Sequence, residues 1–237
     1  MIGVLGGMGP AATVDFMAKL VRLTPAERDQ DHVPVIVVAD PTVPDRVAPI
    51  LEGRGPSPLD AMRRGVRKLQ QAGAQCVAIP CHTAHFWYEK LAADTTLPIL
   101  HIVDAVLAEL ERQSVPKGPI GLLATAATLE AAFYQQRLEA AGYACVLPTA
   151  EVMAERVLPA IALVKQDRAR EAAPLVEAAI EALTAAGAPI VVLACTELPV
   201  AADAAEERPE ACLDATEALA RACIQWHQHR LSTLPGP

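Results

Sequence analysis

Two cysteines sit where chemistry is possible. Cys81 opens the run Cys81-His82-Thr83-Ala84-His85 and Cys195 opens Cys195-Thr196-Glu197, so each is followed by polar groups rather than by more core residues. A free thiol, with a reference pKa of about 8.5, is a base once deprotonated and an acid while protonated. Two thiols facing one carbon from opposite sides suit inversion of a stereocentre, one removing a proton and the other returning one. Carbon acidity is the obstacle: a gap of roughly ten pKa units between substrate and thiol is roughly 14 kcal/mol. Backbone N–H groups near Gly7 and the hydroxyls of Thr83, Thr125 and Thr196 are the groups available to stabilise the carbanion in a closed cleft. The plainer reading makes both cysteines small buried hydrophobes, as is expected for Cys76, Cys145, Cys212 and Cys223.

The elements that must position these residues follow from hydrophobic patterning. Short apolar runs at residues 2–5, 33–39, 76–79, 120–124 and 190–194 alternate with helix-favouring stretches at 12–23, 59–71, 128–141 and 171–186. That βαβ order predicts an α/β fold with mostly parallel sheets covered on both faces. The chain also repeats itself. Ala72-Gly73-Ala74, five residues, then Pro80-Cys81 aligns with Ala186-Gly187-Ala188, five residues, then Ala194-Cys195. In each copy a helix ends at a glycine cap, a strand follows, and the cysteine lies at that strand's carboxyl end, where open parallel sheets bind ligands. Two similar Rossmann-like lobes related by a pseudo-twofold are expected, with the active site in the cleft between them. The lobes are placed at 1–98 plus 209–237 and at 99–208, with crossovers at 112–119 and 201–210. Residues 231–237 read as a frayed tail and 54–58 as a mobile loop near the cleft mouth.

Other chemistries compete. His82 and His85 beside Cys81 invite a zinc reading, but three adjacent ligands without a second cluster fall short of a structural site, so no metal is expected. Gly7-Met8-Gly9-Pro10-Ala11-Ala12 follows a strand and fits a dinucleotide fingerprint, with Asp40 ending the next strand. Pro10 counts against it, removing a backbone donor where phosphate would dock, which weakens the case for a nicotinamide oxidoreductase. A two-lobed protein that captures a dicarboxylate without chemistry is the remaining class, and it has no use for the cysteine pair.

Composition narrows the field further. The chain has 237 residues, 52% hydrophobic and 20% charged, with a formal charge of −8 from 28 acidic and 20 basic side chains. No basic cluster is present to bind nucleic acid. No apolar run reaches the roughly 20 residues of a membrane span, and the first residues resemble no secretory or transit signal, so a cytoplasmic protein with reduced thiols is expected.

GGMGPAAT near the start, Pro44-Asp45-Arg46, CHTAH, GLLAT and ACTELP occur in the order seen in the cofactor-independent aspartate/glutamate racemases, which the chain resembles over nearly its whole length. The resemblance implies an amino-acid racemase acting on aspartate or glutamate without pyridoxal phosphate or any other cofactor, and a homodimer. It makes Cys81 and Cys195 the catalytic acid/bases, and Arg46 and Lys165 the grip on the substrate's side-chain carboxylate. Met8, Thr83, Thr125 and Thr196 would then hold its α-carboxylate and ammonium. The chain departs from the family's Cys-Asn-Thr at His82, a bulkier, titratable group placed in the pocket wall, which if protonated would raise the thiolate population of Cys81. A related isomerase or decarboxylase is the neighbouring alternative.

Overall fold

The structure is a computed structural model and describes residues 1–233. Its first half runs β1 (Ile2–Gly6), α1 (Pro10–Leu23), β2 (Val35–Ala39), α2 (Val47–Leu51), α3 (Leu59–Gln71), β3 (Cys76–Ala78), α4 (Tyr88–Ala92), β4 (Ile99–Leu100) and α5 (Ile102–Arg112). The second half runs β5 (Pro119–Ala124), α6 (Ala126–Glu130), α7 (Phe133–Ala140), β6 (Ala144–Val146), α8 (Ala150–Val152), α9 (Leu158–Lys165), α10 (Ala169–Ala185), β7 (Val191–Ala194), α11 (Glu197–Ala202), β8 (Cys212–Asp214) and α12 (Ala215–Thr233).

Two four-stranded sheets result, ordered β2-β1-β3-β4 and β6-β5-β7-β8, and every pairing is parallel. The orders are the same pattern repeated, so the duplication read from the cysteine spacing extends to topology. The central strands β1, β3, β5 and β7 are buried on both faces apart from Pro119, as parallel strands under helices must be. Helix α3 buries Ala61, Met62, Gly65, Val66 and Leu69, a helix-period stripe. Gly65 is needed there because a Cβ would collide with the Leu5 side chain of β1.

Three apolar clusters hold the halves. One lies in the first half around Leu5, Met62 and Ile79, and one in the second around Leu123, Ile161 and Leu193. The third is shared, running from Ile2 and Phe16 through Val106 and Ile120 to Leu219. A buried ionic clamp adds to it. The Lys19 ammonium of α1, 2% exposed, is 2.6 Å from Asp15 and 2.6 Å from Asp214 at the end of β8. Arg208 bridges Asp203 and Asp214 at 2.8 and 3.4 Å.

Several boundaries differ from expectation. Residues 112–119 do connect the sheets, but 201–210 lie between β7 and β8 of one sheet and cross nothing. The 209–237 segment is divided: β8 completes the second sheet, while α12 packs on α1 and α5. The helix expected at 128–141 breaks into α6 and α7 at Ala132, which adopts a left-handed φ of 54°. Leu231 and Ser232 continue α12 rather than fraying, and 234–237 lie outside the described residues. Residues 54–57 are an exposed loop.

Candidate active site

A cavity of about 520 Å³ opens between the halves, walled by Gly7, Gly9, Pro10, Ala11, Pro41 and Arg46 from one side and Val164, Lys165, Asp167 and Glu197 from the other. The glycine-rich turn after β1 is shaped by Thr13, whose hydroxyl accepts from the Gly7 N–H at 2.8 Å and donates to the Gly9 carbonyl at 2.9 Å. Gly7 takes a φ of 88° and abuts the Asp40 backbone so closely that no side chain fits. The Asp40 carboxylate, which a dinucleotide fingerprint would aim at a ribose, instead accepts from the Thr42 N–H at 2.9 Å and from its hydroxyl at 2.6 Å.

Arg46 precedes α2, where Asp45 accepts from the N–H groups of Val47 and Ala48 at 2.8 and 2.9 Å and fixes the start of the helix. Its guanidinium donates to the Met8 carbonyl at 3.1 Å and the Pro44 carbonyl at 3.3 Å, while its Nε is buried without a hydrogen-bond partner among the described residues. Met8 therefore acts on the cleft through its carbonyl, since its side chain belongs to the first-half cluster. Lys165, in the last turn of α9, lines the cleft from the other half. Neither cation has a carboxylate ion-pair partner among the described residues.

The two cysteines occupy matching positions just past β3 and β7, 5% and 4% exposed. Each belongs to its half's apolar cluster and also touches a charged side chain of the cavity wall. Burial pushes the Cys81 thiol up, opposed by the adjacent Arg46 guanidinium. Cys195 donates to Glu197 Oε2 at 3.1 Å, and burial together with that carboxylate raises it well above its ordinary value. Thr196 donates to the same oxygen at 3.2 Å. Cys76 and Cys145 are pushed up to about 12 and about 11 by burial.

Hydroxyls knit the seam between the halves. Thr83, Thr125 and Thr128 form a triangle with oxygen separations of 3.0 to 3.1 Å. His82 Nδ1 lies 2.9 Å from the Tyr134 hydroxyl of α7, and its buried Nε2 has no hydrogen-bond partner among the described residues. Burial, and then His85, hold His82 well below the ordinary histidine range, so it is neutral and does not promote the Cys81 thiolate as a cation. His85 donates from Nδ1 to the Cys81 carbonyl at 2.9 Å and accepts at Nε2 from the Ile102 N–H at 3.2 Å. Both of its nitrogens are thus spent on backbone, which removes it from the zinc reading.

Asp45, Thr13, Thr128, Tyr134 and Glu197 were not singled out from sequence. Glu197 was the most accessible of them, being an acid two residues beyond a strand-end cysteine. The others take their roles from partners distant in the chain.

Two parallel-sheet halves of one topology, with a buried cysteine just past the equivalent strand in each, make a two-lobed α/β protein. The sequence matches the Asp/Glu/Hydantoin racemase family over residues 5–223, and the chain belongs to that family. It is 29% identical to the broad specificity amino-acid racemase RacX of Bacillus subtilis over 86% of this chain and 88% of that one. The Picrophilus torridus aspartate racemase superposes with a TM-score of 0.82 at 31% identity, covering 98% of this chain and 99% of the other. The fold is shared with the glutamate racemase isoform RacE1 of Bacillus anthracis, with a TM-score of 0.71 at 18% identity over 97% and 82% of the two chains. The protein is accordingly an amino-acid racemase, an isomerase of small-molecule substrates. No helix among the described residues is long and apolar enough to cross a membrane.

Proposed function

We propose that the protein racemises an acidic amino acid, aspartate or glutamate, by direct proton transfer between Cys81 and Cys195. The observation that carries this reading is the paired placement of the thiols, each at a β-strand end and each against a charged residue of one shared cavity. One thiolate takes the α-proton as the Cα–H bond breaks, and the electron pair delocalises into the α-carboxylate. The opposite thiol gives up its proton as a new Cα–H bond forms on the other face. The nearly dry surroundings of both sulfurs strengthen every electrostatic contact to the carbanion.

Arg46 and Lys165 support the acidic substrate class. Two cations without carboxylate partners among the described residues, one from each wall, are matched by a ligand with a side-chain carboxylate, and Arg46 is held ready by the Met8 and Pro44 carbonyls. The triangle of Thr83, Thr125 and Thr128 supplies hydroxyls for the α-carboxylate and ammonium. His82, neutral and bulkier than asparagine, narrows that end of the site.

The test is a panel of L- and D-amino acids incubated without added cofactor and resolved by chiral chromatography. Inversion of aspartate or glutamate in preference to neutral and basic amino acids is expected. Failure of the folded protein to invert either acid would remove the proposed substrate class.

A further inference from the structure

The two thiols have opposite electrostatic neighbours. Arg46 stands beside Cys81, whereas Cys195 donates its hydrogen to Glu197 Oε2 at 3.1 Å. Glu197 is 6% exposed, and Thr196 donates to the same Oε2 at 3.2 Å. A carboxylate fixed in this way accepts a hydrogen bond only from the protonated thiol and repels the thiolate.

We infer that Glu197 is a positioning residue that keeps the proton on Cys195, so that the resting enzyme presents Cys81 as the base and Cys195 as the acid. The inference rests on the two-thiol reading above. The charged groups acting on Cys195 are Glu197, from α11, and Lys165, from α9, which favours the thiolate but comes after burial and Glu197 in influence. Those acting on Cys81 are Arg46 and, more weakly, the same Glu197. Glu197 thus opposes charge on both sulfurs, with the direct contact made at Cys195. No proton is created or lost: in the forward step the α-proton passes to Cys81, and the Cys195 proton passes to the opposite face of the carbon.

This asymmetry has a kinetic form. Enantiomers have equal free energy in water, so kcat/KM is the same in both directions, and a preferred resting form appears in kcat and KM separately. The enantiomer that presents its α-hydrogen to Cys81 meets the populated form. The other meets a minor form, so its KM is raised by the inverse of that fraction and its kcat rises in step.

The experiment is a titration that needs no turnover. In a Cys81→Ala background, ultraviolet thiolate absorbance is measured as the difference between the protein and its Cys195→Ala counterpart, which isolates Cys195. Glu197→Gln, nearly isosteric and uncharged, should lower the midpoint by about one pH unit or more. In otherwise wild-type enzyme the same substitution should draw the KM values of the two enantiomers together. An unmoved midpoint in a variant with unchanged circular dichroism overturns the inference. Should Glu197→Gln fail to fold, the Cys195 midpoint is compared with that of Cys81 measured in a Cys195→Ala background. Cys195 titrating above Cys81 supports the inference and the reverse order overturns it. A lowered midpoint in an enzyme that inverts nothing would leave the Glu197 contact standing and reject the racemisation mechanism. An unmoved midpoint in an enzyme that inverts acids would reject Glu197's role alone.

Discussion

In the proposed mechanism Arg46 and Lys165 would act on substrate binding more than on the proton transfers, because both would pair with a carboxylate remote from the reacting carbon. Arg46→Ala should raise KM for the acidic substrate more than it lowers kcat, and steady-state kinetics on both enantiomers would show the split. Replacing either thiol should behave differently. Cys81→Ala or Cys195→Ala removes one of two proton carriers and should cost at least roughly 10²–10⁴-fold in kcat, the usual contribution of a positioned acid or base. The positions of the two cysteines were legible in the sequence because their repeated spacing after a glycine cap brings both to strand ends, whereas Lys165, in the last turn of α9, is placed only by the family resemblance. The state of His82 was not legible. Its ring can titrate, but burial, and after it His85, keeps it neutral.

The turn after β1 shows what an element adds beyond its residues. Thr13, one turn into α1, uses a single buried hydroxyl to satisfy the Gly7 N–H and to reach the Gly9 carbonyl, and so sets the loop that walls the cleft. Thr13→Val should destabilise the protein by about 1–3 kcal/mol, the cost of an unmet buried donor, read from urea unfolding midpoints. Long elements with clear periodicity, such as α3 and β1, were legible to within a residue or two. β4, β6 and β8, of 2, 3 and 3 residues, were not, since their runs are too short to show a period and pairing with a neighbour makes them strands. The break at Ala132 is likewise set by how α6 and α7 pack, because nothing in Glu130-Ala131-Ala132-Phe133 interrupts a helix.

At the scale of the molecule, the halves are joined by a shared core, a hydroxyl and histidine seam, and the Lys19 clamp. His85 and His101 are held by burial at about 4 and about 2, below the ordinary 6.5, so they bind fewer protons folded than unfolded. Their stabilisation is complete above pH 6.5 and is lost as pH falls from there toward pH 4, where His85 itself titrates. Urea midpoints measured between pH 7.5 and about pH 4.5 should therefore fall, and His101→Asn should flatten the slope. Lys19 has the opposite sign. Asp214 and Asp15 outweigh its burial and raise it, so its contribution holds below 10.5 and fades only in strong base. Lys19→Met leaves Asp15 without its cation and Asp214 with Arg208 alone, and should cost about 3–5 kcal/mol. The duplication was legible in the repeated cysteine spacing, whereas the clamp's link from Lys19 to Asp214 joins distant parts of the chain that no local pattern connects. The most direct test of the two-thiol mechanism is racemisation of an α-protiated acidic amino acid in heavy water, stopped at low conversion. Product of inverted hand carrying solvent deuterium, with recovered substrate still protiated, is the predicted result. Inverted product that keeps its original hydrogen, or deuterium entering recovered substrate as fast as product, would contradict transfer between two separate thiols.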